Sequence, residues 1–213
     1  MGVTLKLATS LDGRIAIASG ESQWITGQPA RDASHQLRAE HDAVVIGIET
    51  ALADDPELTV RLRGFRGPQP ARVVLDSRQR LPANSKLALT ARETPTWVVS
   101  TNPPSDALAS LGVQVLQVED LGDGPELKST VRRLARAGLG SLMVEGGGQV
   151  AASFLRCGLV DRIEWFRAPV LLGGEGRPGV GALALTALAD APRFHRVSAQ
   201  PLGDDLWERY ERA

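Results

Sequence analysis

Three consecutive glycines at the end of an apolar run are the clearest chemical signal in this sequence. Ser141-Leu-Met-Val-Glu145-Gly146-Gly147-Gly148-Gln149-Val150-Ala151 reads as a strand, a tight turn and the start of a helix. Glycine lets backbone approach a pyrophosphate, and a helix N-terminus supplies N–H donors and positive potential. Gly146, Gly148 and Ala151 meet the spacing G-x-G-x-x-A, although a strand-to-helix turn needs glycine with no ligand at all. No Gly-Lys-Ser/Thr follows, so the turn is not a Walker-type phosphate loop. A second glycine-rich stretch, Leu172-Gly-Gly-Glu-Gly-Arg-Pro-Gly179, reads equally as a lid and as a plain surface loop.

Cations come next. Arg31, His35 and Arg38 fall on one helical face by the i, i+4, i+7 rule. Arginine suits phosphate because its planar fork donates two hydrogen bonds at once; spacing alone also fits a solvated basic face. Asp54-Asp55-Pro56 follows the third expected strand. It reads as a turn cap or, functionally, as a proton donor or polar anchor, with Arg61 beyond it as a partner for the aspartates or for a ligand anion. After the fourth strand, Asp76-Ser77-Arg78 sets a carboxylate, a hydroxyl and a cation in a row. An acid there suits a ribose 2′-hydroxyl, and an arginine suits a 2′-phosphate.

His35, His41, His195 and the lone Cys157 make no usual zinc set, and no metal is expected. Cys157 follows Phe154-Leu155-Arg156 and reads as a packed thiol rather than a nucleophile.

These residues need a frame. Val- and Ile-rich runs predict strands at Thr4–Ala8, Arg14–Ala18, Ala43–Gly47, Arg72–Asp76, Thr96–Ser100, Val113–Val118, Ser141–Glu145 and Arg162–Phe166. Arg193–Ala199 and Leu206–Glu211 alternate like antiparallel edge strands, joined by a turn at Leu202–Asp205. Helices are expected at Pro29–Glu40, Asp106–Leu111, Glu126–Ala137 and Gln149–Arg156. Thr26 or Gly27 caps the first, and Gly138 ends the third. The order predicts one α/β domain over residues 1–213, with a mostly parallel sheet flanked by helices and antiparallel C-terminal strands. Ligands of such sheets sit beyond the carboxyl ends of the strands. Val180–Leu188 is an apolar stretch that reads as buried core before it reads as a dimer interface.

A formal net charge of −1 gives no bulk attraction to nucleic acid or anionic lipid. No apolar run reaches the roughly 18 residues of a membrane span, and the first residues do not resemble a secretory signal. A single cysteine permits no internal disulfide, so the cytoplasm is the expected compartment.

In series these stretches resemble the reductase domain of the bifunctional riboflavin-biosynthesis deaminase–reductase. The residues that carry the resemblance are Lys6-Leu-Ala-Thr-Ser-Leu-Asp-Gly-Arg14, Gly20-Glu-Ser-Gln-Trp-Ile-Thr26 and Leu37-Arg38-Ala39. They continue with Ala53-Asp-Asp-Pro-Glu-Leu-Thr-Val-Arg61, Val144-Glu-Gly-Gly147, Leu159-Val-Asp161 and Pro169-Val-Leu-Leu-Gly173. The family implies a dihydrofolate-reductase-like fold, often dimeric, with NADPH as hydride donor. It implies reduction of the ribosyl group of 5-amino-6-(5-phosphoribosylamino)uracil to ribityl, the nicotinamide lying near Ala8 and Thr50. By motif, the implied cofactor contacts are Ala8, Trp24, Thr50, Asp54, Ser77 and Gly147, Gly148, Gln149, Val150, Ala151, Ala152 and Ser153. The implied substrate contacts are Ser22, Arg38, Leu58, Arg61 and Glu145, and Asp54 is the candidate catalytic group. The family's zinc deaminase half has no counterpart here, which implies a separate deaminase in the pathway or an isolated domain. Glu49 stands where the family more often has a small residue, and Gly148 varies in relatives. The rival readings are reduction of another pyrimidine or a pterin, and nucleotide binding on the same fold without turnover.

Overall fold

The computed structural model describes residues 2–119 and 126–213. In chain order its elements are β1 (Gly2–Thr9), β2 (Arg14–Ala16), α1 (Gln28–Ala39), β3 (Ala43–Gly47), α2 (Ile48–Asp54) and β4 (Ala71–Leu75). Then come α3 (Lys86–Leu89), β5 (Thr96–Ser100), α4 (Asp106–Ser110), β6 (Gln114–Gln117), α5 (Leu127–Arg136) and β7 (Ser141–Val144). The chain closes with α6 (Gly148–Arg156), β8 (Arg162–Arg167), β9 (Arg177–Pro178), a 3₁₀ turn at Leu188–Asp190, β10 (Phe194–Leu202) and β11 (Asp205–Arg212). The chain divides into two compact units, one of residues 35–143 and one of residues 2–34 and 144–213.

In the 35–143 unit the strands run in the order β7-β3-β4-β5-β6. The pairs β3–β4, β4–β5 and β5–β6 are parallel. All five residues of β3 are buried, as a strand covered on both faces requires. Val44, Ile46, Val74 and Val98 build a core with Leu87 and Ala88 of α3 and Leu108 of α4. Glu126 is the N-cap of α5, its carboxylate accepting from the Lys128 and Ser129 amides. Gly138 ends that helix with φ +92°, and the Leu139 amide reaches back to the Leu134 carbonyl, the glycine stop the sequence indicated.

In the other unit the strand order is β10-β11-β8-β1. The β1–β8 pair is parallel, and β8–β11 and β10–β11 are antiparallel. A separate antiparallel pair joins β2 to β9. The mostly parallel α/β class with antiparallel C-terminal strands is therefore observed. Gly27 opens α1, its carbonyl accepting from the Arg31 amide while Asp205 accepts from the Gly27 amide.

Several expectations need correction. The segment Ile48–Asp54, to which the sequence assigns no element, forms α2; Ile48 and Ala51 make a buried stripe too short to show a helical period. The four-residue α3 also escapes periodicity; it forms because Ser85 caps it and Leu87 and Ala88 are fully buried. β2 stops at Ala16 rather than Ala18, and β10 runs on to Leu202 rather than ending at Ala199. The apolar run Val180–Leu188 is not core: Leu185 and Leu188 are 46% and 82% exposed.

One buried charge ties the 35–143 unit together. Arg72 in β4 is 1% exposed. Its guanidinium donates to Thr94 O at 2.6 Å, Thr90 Oγ1 at 2.7 Å and Thr90 O at 3.0 Å, with longer bonds to the Leu87 and Glu57 carbonyls. Burial lowers its pKa to about 10, so it stays charged at neutral pH and needs those acceptors. Arg72→Met should lower stability by about 3 kcal/mol, since it strands buried carbonyls as well as losing charged hydrogen bonds. Urea unfolding checks this, and an unchanged midpoint would show that the cage carries no net stability.

Candidate active site

In the 35–143 unit the second half of α1 lies against the segment Glu57–Arg61. Arg38 Nη1 donates to Thr59 O at 3.0 Å, and the Arg61 amide donates to His35 Nδ1 at 3.3 Å. Gln69 fixes the same segment like a strand partner: Val60 N donates to its Oε1 at 2.7 Å, and its Nε2 donates to Val60 O at 3.2 Å. The two arginines singled out in the sequence are thus carried by adjoining, well-tied pieces of backbone. Among the described residues the Arg61 guanidinium pairs with Glu57, at 3.5 Å, both side chains half-exposed. Such a pair is worth about 0–1 kcal/mol and exchanges readily for a phosphate. Arg31 does not join them. It is spent on Thr26 O, Gln28 Oε1 and the Trp24 ring, 4.6 Å away.

Leu58 needs a correction. Its side chain is 4% exposed and belongs to the hydrophobic core, with φ +57°, so only its backbone is available to a substrate. Asp54 and Asp55 part company at the end of α2. Asp55 is the left-handed C-cap, φ 38°, and its Oδ1 accepts from the Lys86 amide at 2.9 Å, which is the turn-cap role. Asp54 is the last helical residue, solvent-accessible, and partial desolvation raises its carboxyl pKa. Thr50 sits in the first turn of the same helix, directly beyond β3.

Ser77 follows β4. Its carbonyl accepts from Ser100 Oγ at 3.0 Å and Thr101 Oγ1 at 2.9 Å, and the Gln79 amide pins the neighbouring loop through Asn102 O and Pro103 O. Asp76 is not offered to a ribose. It is fully buried and accepts from the Leu81 amide at 2.8 Å. Arg78 is exposed, and Arg80 is held by Glu49 at 2.7 Å.

In the other unit α6 begins at the glycine turn. Its N-cap is Gly147, so no side chain caps the first turn; backbone N–H groups at a helix N-terminus are the kind of donor that suits an anion. That donor set fits a pyrophosphate. The rest of the stretch divides: Gln149 is exposed and Val150 half-buried, but Ala151 and Ala152 are fully buried and pack into the core. Ser153 Oγ accepts from Arg156. Gly148 answers to the protein itself, because a Cβ there would lie 2.4 Å from the Pro178 carbonyl oxygen. Glu145 is half-buried just past β7. Ala8 lies near the end of β1 in register with Phe166, which stacks on Trp207 at 5.3 Å. Ser22 is half-buried, and Trp24 is 70% exposed. Sequence reasoning missed Gln69, whose amide acts on backbone nine residues away and leaves no periodic mark.

Ala8, Thr50, Ser77, Glu145 and the glycine turn thus lie at or just beyond strand ends, in the manner of α/β proteins that bind nucleotides, whereas Arg38, Arg61, Ser22 and Trp24 come from α1 and from loops. The chain matches the RibD C-terminal domain over residues 2–207, and it belongs to that family, whose fold is dihydrofolate-reductase-like. It is 37% identical over 206 residues to riboflavin biosynthesis protein RibD of Aquifex aeolicus, covering 96% of this chain and 56% of that protein. The chain therefore spans little more than half the length of such relatives. It is also 37% identical over 211 residues to the 2,5-diamino-6-ribosylamino-4(3H)-pyrimidinone 5′-phosphate reductase of Methanothermobacter thermautotrophicus, covering 98% of this chain and 96% of that one. Among solved structures, RibD of Acinetobacter baumannii aligns with a TM-score of 0.87 at 34% identity, over all of this chain and 58% of that one.

Asp54 yields a pH test. A raised folded-state pKa means that its contribution to stability is complete below the unfolded value, about 3.9, and is lost as pH rises through the folded value. Asp54→Asn should therefore melt at or above the parent temperature at pH 7, with the difference closing toward pH 4. A lower melting temperature at pH 7 would make Asp54 a structural cap.

Proposed function

We propose that the chain reduces 5-amino-6-(5-phosphoribosylamino)uracil to its ribitylamino product in riboflavin biosynthesis, with NADPH as the donor. The observation that carries this reading is the pair Arg38 and Arg61, set on tied backbone with one of them held only by a weak, exchangeable carboxylate. Two fork-shaped cations suit the 5′-phosphate of such a substrate. The end-to-end similarity to the Methanothermobacter reductase supports the same substrate class.

When bound, the nicotinamide supplies the hydride. The chain's own residues bind and orient. The start of α6, with Gly147 as its N-cap, would hold the pyrophosphate through backbone N–H groups. Thr50 and Ser77 stand at strand ends for the remainder of the dinucleotide. Asp54, whose carboxyl pKa is raised by partial desolvation, is the candidate proton-carrying group of this set. Glu145 and Ser22 read the pyrimidine or ribose. NADPH is favoured over NADH because Asp76 is buried, leaving the Ser77 hydroxyl and the exposed Arg78 guanidinium beyond β4.

Residues 1–213 form one reductase domain, in keeping with a family match that runs through both units. The partner is a small phosphorylated aminopyrimidine, the product of a deaminase. The near-neutral charge offers no bulk attraction to nucleic acid, and among the described residues no helix is long and apolar enough to cross a membrane. The site of action is the cytoplasm. A homodimer is supported by β10, an edge strand whose residues from His195 to Pro201 are all exposed, and by the exposed Leu185, Leu188 and Val197. An edge of that length needs cover.

The deciding experiment follows NADPH oxidation with the deaminated and undeaminated phosphoribosylaminopyrimidines, and with dihydropterin as the rival. Turnover of the deaminated substrate with the highest kcat/KM is expected. Arg38→Ala and Arg61→Ala should each raise its KM about ten- to a hundredfold, the loss of a charged hydrogen bond, while NADPH titrates as in the parent. Unchanged KM in both folded variants would remove the arginines from the substrate site, and oxidation with none of the compounds would leave a nucleotide-binding protein.

A further inference from the structure

We infer that Asp12 is a positioning residue, whose carboxylate seats residues 172–181 as a strap across the start of α6 and so shapes the glycine turn. The inference rests on the reading above that this turn receives the dinucleotide pyrophosphate. Asp12 lies in the turn between β1 and β2. Its Oδ1 accepts from Ser10 Oγ at 2.6 Å and from the Leu172 amide at 3.1 Å, and its Oδ2 accepts from the Gly173 amide at 2.8 Å. Those three donors, led by the Ser10 hydroxyl, hold its pKa down to about 2. The carboxylate is therefore a fixed anion throughout the working range, and acceptor-only.

From that anchor the strap makes a series of close contacts. Arg177–Pro178 pair with Arg14–Ala16. The Gly179 amide donates to Gly13 O at 2.9 Å, and the Gly181 amide donates to Gly148 O at 2.8 Å. At each crossing a side chain would be crowded, most severely at Gly148. A Cβ on Gly176 would lie 3.1 Å from Ala16 O, and one on Gly179 would lie 3.0 Å from Thr9 Cγ2. One on Gly148 would lie 2.4 Å from Pro178 O. The second half of the strap thus rests directly on the first residue of α6, and its first half is tied by Asp12. The glycine-rich stretch is neither a free lid nor a plain loop. A pyrophosphate bound by the first-turn N–H groups meets a turn whose outer wall is the strap, so loosening the strap at Asp12 loosens the donors.

Asp12→Asn is the informative change, because the amide must present N–H₂ to at least one of three donors. Three quantities should be measured on the full chain: the NADPH Kd by fluorescence titration, kcat at saturating NADPH, and amide hydrogen exchange at Leu172 and Gly173. The variant should lose protection at both amides and bind NADPH roughly tenfold more weakly, the equivalent of one charged hydrogen bond. Its kcat should stay within about twofold, since no reacting group is altered. Ser10→Ala removes one donor and leaves both strap amides on the carboxylate, so its Kd should change by less than about threefold. It provides a second reading should Asp12→Asn fail to fold: a tenfold loss in Ser10→Ala with both amides still protected overturns the proposal. Loss of amide protection in Asp12→Asn with an unchanged Kd overturns it, as does protection that survives the substitution. A parent protein that binds no NADPH overturns the functional reading and this proposal with it, whereas a Kd unchanged only in the variant overturns this proposal alone.

Discussion

A parallel strand buried on both faces can offer chemistry only at its ends, and the candidate site follows from that constraint. β3 is buried from Ala43 to Gly47, so its first accessible side chains are Glu49 and Thr50 on the helix it runs into. β4 is followed by Ser77, β7 by Glu145 and the glycine turn, and β1 closes near Ala8. Chemistry confined to strand ends depends on how firmly the departing chain is held, because loops are otherwise the mobile part of a fold. Here the holding groups are side chains that bind backbone. Gln69 fixes Val60, Gln79 fixes the loop after β5, and Asp76 fixes Leu81.

Charged groups in this protein sort by how completely they are satisfied. Arg72 and Asp12 have backbone or hydroxyl partners at hydrogen-bond distance, and both pKa values are lowered, for different reasons. Burial depresses Arg72, while donated hydrogen bonds depress Asp12. Most of their hydrogen-bonding capacity is taken up within the protein, although Arg72 Nε is buried without a partner among the described residues. Arg61 is different, with a half-exposed side chain and a carboxylate partner at 3.5 Å. An ion pair of that kind contributes little to folding, so giving it up to bind a phosphate costs little stability. Placing the exchangeable cation on a segment locked by Gln69 combines a rigid position with an available charge.

Where hydrophobic period and local chemistry agree, the fold was legible in the sequence. β3 and β5 appear at their expected limits, and the Gly138 stop operates through a left-handed residue as its position implied. Short elements were not legible. α2 spans seven residues and α3 four, less than the two or three turns over which a helical stripe can be told from a buried strand. Burial also cannot be read from apolarity alone: Leu185 and Leu188 are exposed, while Leu58 is enclosed. Of the candidate site, the arginines and the glycine turn were visible because their residue types carry the chemistry. Gln69, Asp12 and the divergence of Asp54 from Asp55 depend on contacts distant along the chain or on a single backbone angle, which composition and spacing do not encode.

The glycine motif shows why a pattern match and a binding site are different statements. Three of its positions are explained by the protein alone. Gly148 is required by the Pro178 carbonyl, and Ala151 with Ala152 is required by a core that leaves them no exposed surface. A chain with no ligand would still need these residues to bring a strand, a helix and residues 178–181 into contact. A glycine N-cap does not by itself mark a ligand: glycine gives up only a few tenths of a kcal/mol against serine or threonine, and Gly47 at the start of α2 likewise carries no capping side chain. The proposed pyrophosphate contact therefore rests on the helix N-terminus as an anion-binding element and on the family to which the chain belongs, rather than on the glycine count.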